Sequence, residues 1–190
     1  MELTWQGGST VTIKGNKAQV VVNPQAEQMT EDNILIFSDE QKKVKKGLEV
    51  FDWPGEYELK GVAITCLQAY TKPKGEAGAN PTLISKFEVD GIQFCHLGEL
   101  GHDLEPEMIE KLGNVDVLIF VDNGNLSLKK LHSLLEEMEP RALAPLASDN
   151  LDVFFKEMGS AKPEAVKSYT IKGDGQFSED KRDYIVLEQA

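Results

Sequence analysis

The chain has 190 residues, of which 41% are hydrophobic and 7% aromatic, enough for one globular domain with a substantial core. Asp and Glu number 32 against 20 Lys and Arg, so the formal net charge is −12. This charge repels phosphate backbones and argues against a nucleic-acid partner. The chain holds three His and two Cys, so a zinc site built mainly from these residues would need nearly all of them in one place.

Two further features of the sequence predict a cytoplasmic protein without a membrane partner. The first residues lack the basic and apolar regions of a secretory signal, and no apolar run reaches the roughly 18 residues that span a bilayer. Cys66 and Cys95 both lie in apolar, strand-like runs. We predict that they are reduced core thiols, with a disulfide or a reactive thiol as the less favoured alternative.

The first half of the chain is predicted to form β-strands and hairpins. Gly15-Asn16 is typical of a two-residue hairpin turn, Gly61 separates two strand segments, and Asp90-Gly91 is a strong hairpin signal. Flanking apolar runs leave no spare residues for a longer loop at Asp90-Gly91, which predicts a positive φ for Gly91. The predicted strands are Thr10–Ile13, Ala18–Val22, Asn33–Phe37, two segments within Tyr57–Tyr70, Thr82–Val89 and Ile92–Leu97.

The second half alternates between helical and strand patterns. Pro106 suits the first turn of a helix and Gly113 suits its C-terminal cap. The predicted helices are Pro106–Leu112, Ser127–Met138 and Leu151–Met158, and the predicted strands are Val115–Val121, Arg141–Leu146 and Tyr184–Leu187. This order predicts one domain of the α+β class, made of α/β layers in which helices cover β-sheet.

A family resemblance begins at Phe94–His102, which reads F-C-H-L-G-E-L-G-H. It resembles the H-L-G-D-L-G-H motif of small UlaG-like members of the metallo-β-lactamase superfamily. Leu3–Ser9 is similar to the family's W-x-G-H-S segment, Asp52–Val62 to P-G-E-Y-E-I-x-G-V, and Gly113–Ile119 to G-x-V-D-V-L. The resemblance implies a four-layered αββα sandwich, with two mixed β-sheets flanked by helices and a metal site at one edge of the sheets.

The positions that the resemblance assigns to the metal site hold other residues. The family's T-H-x-H-x-D-H motif falls on Ser38–Val44, in which the two spaced His, the Asp and the last His are replaced. The replacements are Asp39, Gln41, Lys43 and Val44 in that motif, with Gly8, Thr71 and Ala147 at three further His positions and Glu99 at the bridging Asp position.

These replacements oppose zinc binding. A catalytic zinc takes three protein ligands and activates a water in an open position. Gln is a poor ligand, Val and Ala cannot bind, and Lys43 places a cation where a cation should go. We therefore predict no metal, no other cofactor and no catalytic residue. A weak oxygen-only site for Mg²⁺ or Ca²⁺ at Asp39, Glu40 and Glu99 is the alternative, although a solvated loop is the simpler interpretation of Asp39 and Glu40.

Other candidate catalytic groups have simpler structural interpretations. His96 and His102 flank Glu99, and a His–carboxylate pair can perform acid–base chemistry. We favour structural roles, with His96 hydrogen-bonded in its layer and His102 capping a turn, because no nucleophile stands beside them. Ser9 and Ser148 do not lie in a nucleophile-elbow pattern.

The only basic cluster is Lys42–Lys46. Such a run usually forms a solvated loop, and contact with an anionic partner is the alternative interpretation. The resemblance places Ser38–Val44, Thr71, Glu99 and Ala147 at one edge of the fold. We expect them to converge there, with the Lys43 ammonium at the former metal position near Glu99 or Asp39.

Two functional hypotheses follow. The favoured one is a metallo-β-lactamase-fold protein that has lost its zinc ligands and acts as a non-catalytic binding, interaction or structural protein. Its partner would be a protein or a small molecule of unknown identity. The alternative is a metal-dependent hydrolase that uses an altered site around Asp39 and Glu99. The resemblance also implies that self-association into a homo-oligomer is plausible.

Overall fold

The computed structural model describes residues 1–39, 44, 46–122, 124–146, 151–178 and 181–190. The strands in chain order are β1 (Glu2–Trp5), β2 (Val11–Lys14), β3 (Gln19–Val22), β4 (Asn33–Ile36), β5 (Val50–Phe51), β6 (Gly55–Leu59), β7 (Val62–Tyr70), β8 (Pro81–Val89), β9 (Ile92–His96), β10 (Val117–Val121), β11 (Ala142–Leu146), β12 (Ser168–Thr170) and β13 (Asp183–Tyr184). The helices are α1 (Pro106–Leu112), α2 (Leu128–Met138) and α3 (Leu151–Glu157), with short 3-10 turns at Ala26–Gln28 and Asp174–Gln176.

The strands form two mixed sheets. The six-stranded sheet has the order β12-β1-β2-β3-β4-β5, with antiparallel pairs up to β3 and parallel pairs from β3 to β5. The seven-stranded sheet has the order β13-β11-β10-β9-β8-β7-β6, antiparallel from β6 to β9 and parallel from β9 to β13. The predicted α+β sandwich of two mixed sheets is therefore confirmed.

Two apolar layers hold the sandwich together. The first lies between the sheets and joins residues such as Ile13 and Ile34 of one sheet to Phe87 and Phe94 of the other. The second lies on the outer face of the seven-stranded sheet, where all three described helices pack. The outer face of the six-stranded sheet carries a small cluster of Val21, Leu35 and Phe37, packed against Met29, Leu48 and Val50.

The helices begin and end close to their predicted bounds. Ser127 is the N-cap of α2, and its hydroxyl accepts a hydrogen bond from the backbone N–H of Lys130 at 3.4 Å. Gly113 closes α1 with a φ of 53°, as expected of a C-terminal glycine. No helix among the described residues is both long and apolar enough to cross a membrane.

The hairpin turns agree with the predictions at two of three places. Asp90 and Gly91 have φ values of 49° and 81° and join the paired ends of β8 and β9, which confirms the two-residue turn. Lys60 and Gly61, with φ values of 53° and 75°, join β6 and β7 in the same way.

The predicted two-residue turn at Gly15-Asn16 is wrong. Lys14 pairs with Gln19, so four residues connect β2 to β3, and the N–H of Gly15 bonds to the carbonyl of Ala18 at 2.9 Å. The tip of this longer loop docks on the other sheet, where the Asn16 N–H donates to the Asp90 carboxylate at 2.8 Å.

Candidate functional site

The ends of several strands meet at the edge where the sequence places the former metal site. Ser38 follows β4, and its carbonyl accepts a hydrogen bond from the N–H of Leu83 on β8 at 2.6 Å. Thr82, the neighbour of Leu83, accepts a hydrogen bond on its hydroxyl from the N–H of Glu99 at 3.0 Å. Ser38 and Glu99 therefore flank the beginning of β8 from the two sheets.

Thr71 joins the same edge through a glycine. The chain after β9 crosses the beginning of β8 and the end of β7, and the Gly101 N–H donates to the carbonyl of Tyr70 at 3.0 Å. A Cβ on Gly101 would lie 1.8 Å from the carbonyl oxygen of Thr71. Ser38, Thr71 and Glu99 thus converge as the sequence predicts, whereas the expected positions of Lys43 and Ala147 lie outside the described residues.

A hydrogen-bond network that the sequence did not reveal organises this edge. The Asn23 side-chain amide donates to the hydroxyls of Ser9 and Ser38 at 2.8 and 2.9 Å. Its oxygen accepts from the Ser38 N–H at 2.7 Å. The Asn23 backbone has a φ of 50°, and its carbonyl accepts from the hydroxyl of Thr10 at 2.7 Å.

One local signal for this role of Asn23 was present in the sequence. Asn tolerates the left-handed region better than other non-glycine residues, and here it follows a strand and precedes Pro24. The hydrogen-bond partners themselves are 14 or 15 positions away along the chain, so the pattern around Asn23 does not name them.

His96 is a fully buried residue at the end of β9. Its Nδ1 accepts a hydrogen bond from the N–H of Gly98 at 3.0 Å, which places the proton of the neutral ring on Nε2. Nε2 lies near the Ser9 backbone but makes no hydrogen bond within the described chain. Burial lowers the pKa of His96 to about 4, and the Ser9 backbone offsets this shift only in part.

His102 has a structural role of a different kind. Its Nε2 accepts a hydrogen bond from the backbone N–H of Tyr70 at 3.1 Å, and its Nδ1 lies 2.7 Å from the carbonyl of Asp103. The pairing of β6 with β7 ends at Cys66, so β6 does not reach Tyr70. The His102 ring instead accepts the hydrogen bond of the Tyr70 N–H. His96 is buried whereas Glu99 is exposed, and both histidine rings accept hydrogen bonds from backbone N–H groups.

Two glycines of the Phe94–His102 motif let the chain after β9 pass close to the neighbouring strands. Gly98 has a φ of 60°, and a Cβ at this position would stand 2.4 Å from the carbonyl oxygen of Leu83. Together with Gly101, it lets the chain pass in contact with the backbone of β7 and β8. The two glycines that match the family motif therefore build this edge of the fold.

The donor groups of the described residues at this edge do not form a set that fits a zinc ion. Among residues 1–39, 44, 46–122, 124–146, 151–178 and 181–190, no group of three or more His, Cys, Asp or Glu side chains comes together. Gly8 has no side chain, and the hydroxyl of Thr71 accepts a hydrogen bond from the Asn80 N–H at 3.0 Å. The two described carboxylates at this edge, Asp39 and Glu99, are both exposed.

The cysteines are unsuited to nucleophilic chemistry. Cys66 lies in the layer between the sheets and Cys95 in the layer beneath the helices, and both are free thiols. Burial raises the pKa of each thiol to about 12, so the reactive thiolate is scarce at neutral pH. The prediction of unpaired core thiols is confirmed.

A cleft of about 840 Å³ lies at a different part of the molecule, where β10 and β11 begin. Asp116 and Arg141 form an ion pair in its wall, with an N···O distance of 3.1 Å. The Asp116 carboxylate also accepts from the Gln93 N–H at 2.7 Å, and Arg141 donates to the carbonyl of Phe177 at 2.8 Å. These contacts tie the C-terminal segment to the seven-stranded sheet.

The two mixed sheets and the loop-built edge define the class as the metallo-β-lactamase fold. The family model described as the beta-lactamase superfamily domain matches residues 2–147, and the chain belongs to this superfamily. No curated protein matches the sequence.

Solved structures show the same fold at low sequence identity. A candidate Zn-dependent hydrolase of the metallo-β-lactamase superfamily from Thermotoga maritima is 22% identical, with a TM-score of 0.76 over 98% of this chain and 97% of that one. Igni18, a metallo hydrolase from Ignicoccus hospitalis, is 14% identical, with a TM-score of 0.63 over 90% and 99%. An isothiocyanate hydrolase from Delia radicum gut bacteria is 10% identical, with a TM-score of 0.62 over 84% and 93%.

Proposed function

We propose that this protein is a member of the metallo-β-lactamase superfamily that has lost its zinc ligands and acts as a non-catalytic binding or interaction protein. The proposal includes a cytoplasmic location, which two buried, unpaired thiols support. It includes neither a metal nor another cofactor. A protein or small-molecule partner is expected, and the net charge of −12 argues against nucleic acid.

We call the edge at which the resemblance places the metal ligands the ligand edge. The observation that carries the proposal is that side chains at the ligand edge make structural hydrogen bonds. The Asn23 amide engages the hydroxyls of Ser9 and Ser38, and the Thr71 hydroxyl engages a backbone N–H. A zinc hydrolase needs three converging ligands that activate a water. Of the described positions that the resemblance assigns to ligands, Gly8 has no side chain and the Thr71 hydroxyl is engaged by a backbone N–H, which supports the loss of the ligand set, while the glycines that build the edge remain.

The test is metal content followed by a calorimetric titration with Zn²⁺ and Mn²⁺. The purified chain should contain far below one equivalent of metal and show no micromolar binding. The converse variant combines Asp39→His, Gln41→His, Lys43→Asp, Val44→His, Glu99→Asp and Ala147→His. If the scaffold is intact, this variant should gain zinc affinity because it restores the family's ligand types.

Micromolar metal binding that disappears in Glu99→Ala would overturn the proposal. It would favour the alternative, a metal-dependent hydrolase with an altered site around Asp39 and Glu99. The named activities of the structural neighbours motivate this alternative, although identities of 22% or less carry the fold alone. The matched control is Glu137→Ala, which removes an exposed carboxylate from α2 and should leave any metal binding unchanged.

A further inference from the structure

The strand β6 ends the seven-stranded sheet and pairs, within the described chain, only with β7. Because Lys60 and Gly61 form a two-residue turn, the flanking residues Leu59 and Val62 are a hydrogen-bonded pair. Hydrogen-bonded and non-hydrogen-bonded pairs alternate along an antiparallel ladder, so Tyr57 and Ile64 are a hydrogen-bonded pair as well. The backbone N–H and C=O groups of the intervening residues, Glu56 and Glu58, therefore point away from the sheet.

The face of the sheet beside this edge is acidic and open. Tyr57 and Leu59 pack toward the layer between the sheets, so Glu56 and Glu58 project from the opposite face, where both are exposed. Glu88 lies on that face one position beyond the Ile64–Phe87 pair and is also exposed.

The two neighbouring lysines offset only part of the charge of these three carboxylates. Lys60 donates to the carbonyls of Glu31 and Asp32 at 2.6 and 2.8 Å. Lys86 donates to the carbonyl of Leu112 at the end of α1. Both ammonium groups donate to backbone carbonyls but keep their charge, and three carboxylates beside two ammonium groups leave the face beside β6 with a local excess of negative charge.

A large aromatic side chain stands at the beginning of this edge. Trp53 is 63% exposed, the highest value among the large hydrophobic residues that are exposed in the described chain. The Tyr57 hydroxyl donates to the Trp53 carbonyl at 2.9 Å and fixes the backbone at this position. Tryptophan side chains are frequent anchors of protein interfaces.

A second copy of the chain is a poor occupant of this edge. Antiparallel pairing of two β6 strands about Tyr57 would place Glu56 of one copy opposite Glu58 of the other. Like charges directly opposite each other destabilise a strand pair. Basic side chains on an added strand would instead be attracted at the same positions.

We propose that β6 and Trp53 form a docking edge for an extended segment of a partner protein, with Lys or Arg at alternate positions and an apolar side chain against Trp53. The segment would add a strand to the sheet, so that backbone hydrogen bonds supply affinity and the carboxylates supply selectivity. The proposal goes beyond the non-catalytic function and does not depend on it, because a metal at the ligand edge would leave the docking edge unchanged.

The test uses an acetylated octapeptide of alternating lysine and valine, titrated into the full chain while Trp fluorescence and calorimetric heat are recorded. The same peptide with glutamate in place of lysine should not bind. Glu56→Lys should weaken binding by about tenfold or more, whereas Glu137→Lys, which makes the same change in net charge on α2, should have little effect. Equal effects of the two variants would identify unspecific attraction and overturn the proposal.

Glu58→Pro tests the backbone pairing. It removes an outward N–H that the β6–β7 ladder does not use, so the sheet should persist while peptide binding is lost. Unchanged binding in a folded Glu58→Pro variant would overturn the proposal.

Hydrogen exchange in the unaltered chain provides a second readout that does not need this variant to fold. Peptide addition should protect the amides of Glu56 and Glu58, and absence of protection at peptide saturation would overturn the proposal. Sedimentation of the chain without peptide should show no dimer formed through β6. A dimer whose stability changes in Glu56→Lys would assign the docking edge to self-association and overturn the proposal.

Discussion

Asn23 and Ser38 are joined by two hydrogen bonds at the place where β3 and β4 of the six-stranded sheet end. The amide oxygen of Asn23 accepts from the Ser38 N–H at 2.7 Å, and the amide nitrogen donates to the Ser38 hydroxyl at 2.9 Å. Ser38 is buried, so these groups have little access to water. The pair occupies the point at which the resemblance places the first ligand motif, and it gives this segment a structural role.

Asn23→Ala should lower the free energy of unfolding by about 2 kcal/mol, because it leaves the buried Ser38 N–H without a partner and removes a residue that tolerates positive φ. Denaturant unfolding measures the change. The matched variant Asn33→Ala removes another half-buried Asn whose backbone is not in the left-handed region, and it should cost less. Equal losses would argue against a special role of Asn23.

Gly91→Val should destabilise the protein by about 1–2 kcal/mol, since a β-branched residue resists a positive φ. Gly91 has a φ of 81°, and a Cβ there would meet no atom within 4 Å, so the cost is conformational and not steric. Gly91→Asn should cost less because Asn tolerates this region. An unchanged melting temperature in Gly91→Val would contradict the turn assignment.

Gly101→Ala should be one of the most damaging single-methyl additions in the chain. The new Cβ would lie 1.8 Å from the Thr71 carbonyl oxygen, and backbone on both sides would have to move. We expect a loss of about 3 kcal/mol or more in thermal or denaturant unfolding. Gly175→Ala is the control, since its Cβ meets nothing within 4 Å and its φ is not positive.

His96 should make stability depend on pH. Its pKa is about 4 in the folded protein against an ordinary value of 6.5, so the unfolded chain binds the proton more tightly. Stability should therefore fall as the pH drops from about 6.5 to about 4, by on the order of 3 kcal/mol over the full interval.

The pH dependence can be assigned by comparing two variants. His96→Gln should flatten the stability profile between pH 4 and 6.5, whereas His132→Gln, at an exposed site on α2, should leave it close to that of the unaltered protein. The same slope in all three proteins would show that carboxylates, and not His96, cause it.

Asp116→Asn should reduce stability by about 1–3 kcal/mol, because the Asp116 carboxylate holds both the Arg141 guanidinium and the Gln93 N–H. The Asp116 side chain is 15% exposed. Asp152→Asn breaks the ion pair with Lys162, in which the two side chains are 77% and 43% exposed, and should cost less than about 1 kcal/mol. Thermal unfolding at two salt concentrations separates the two cases.

Local sequence patterns predicted most of the longer elements and the fold class, because periodicity and turn chemistry depend on neighbouring residues, but they did not predict the short strands β5 and β12. Alternating apolar residues and Asp90-Gly91 predicted the hairpin of β8 and β9, and the Leu-rich face with Ser127 predicted α2 within a residue of its observed start. The family motifs placed Ser38, Thr71 and Glu99 at one edge, since strand order carries their positions into space.

Tertiary structure alone decided what those residues do. The sequence did not show that Asn23 engages Ser9 and Ser38, that the loop after Gly15 docks on Asp90, or that β6 is left as an open edge. Each depends on groups that are far apart along the chain and meet only when the sheets pack. A local pattern specifies which backbone groups need a partner, whereas the packing of distant strands specifies which partner each one finds.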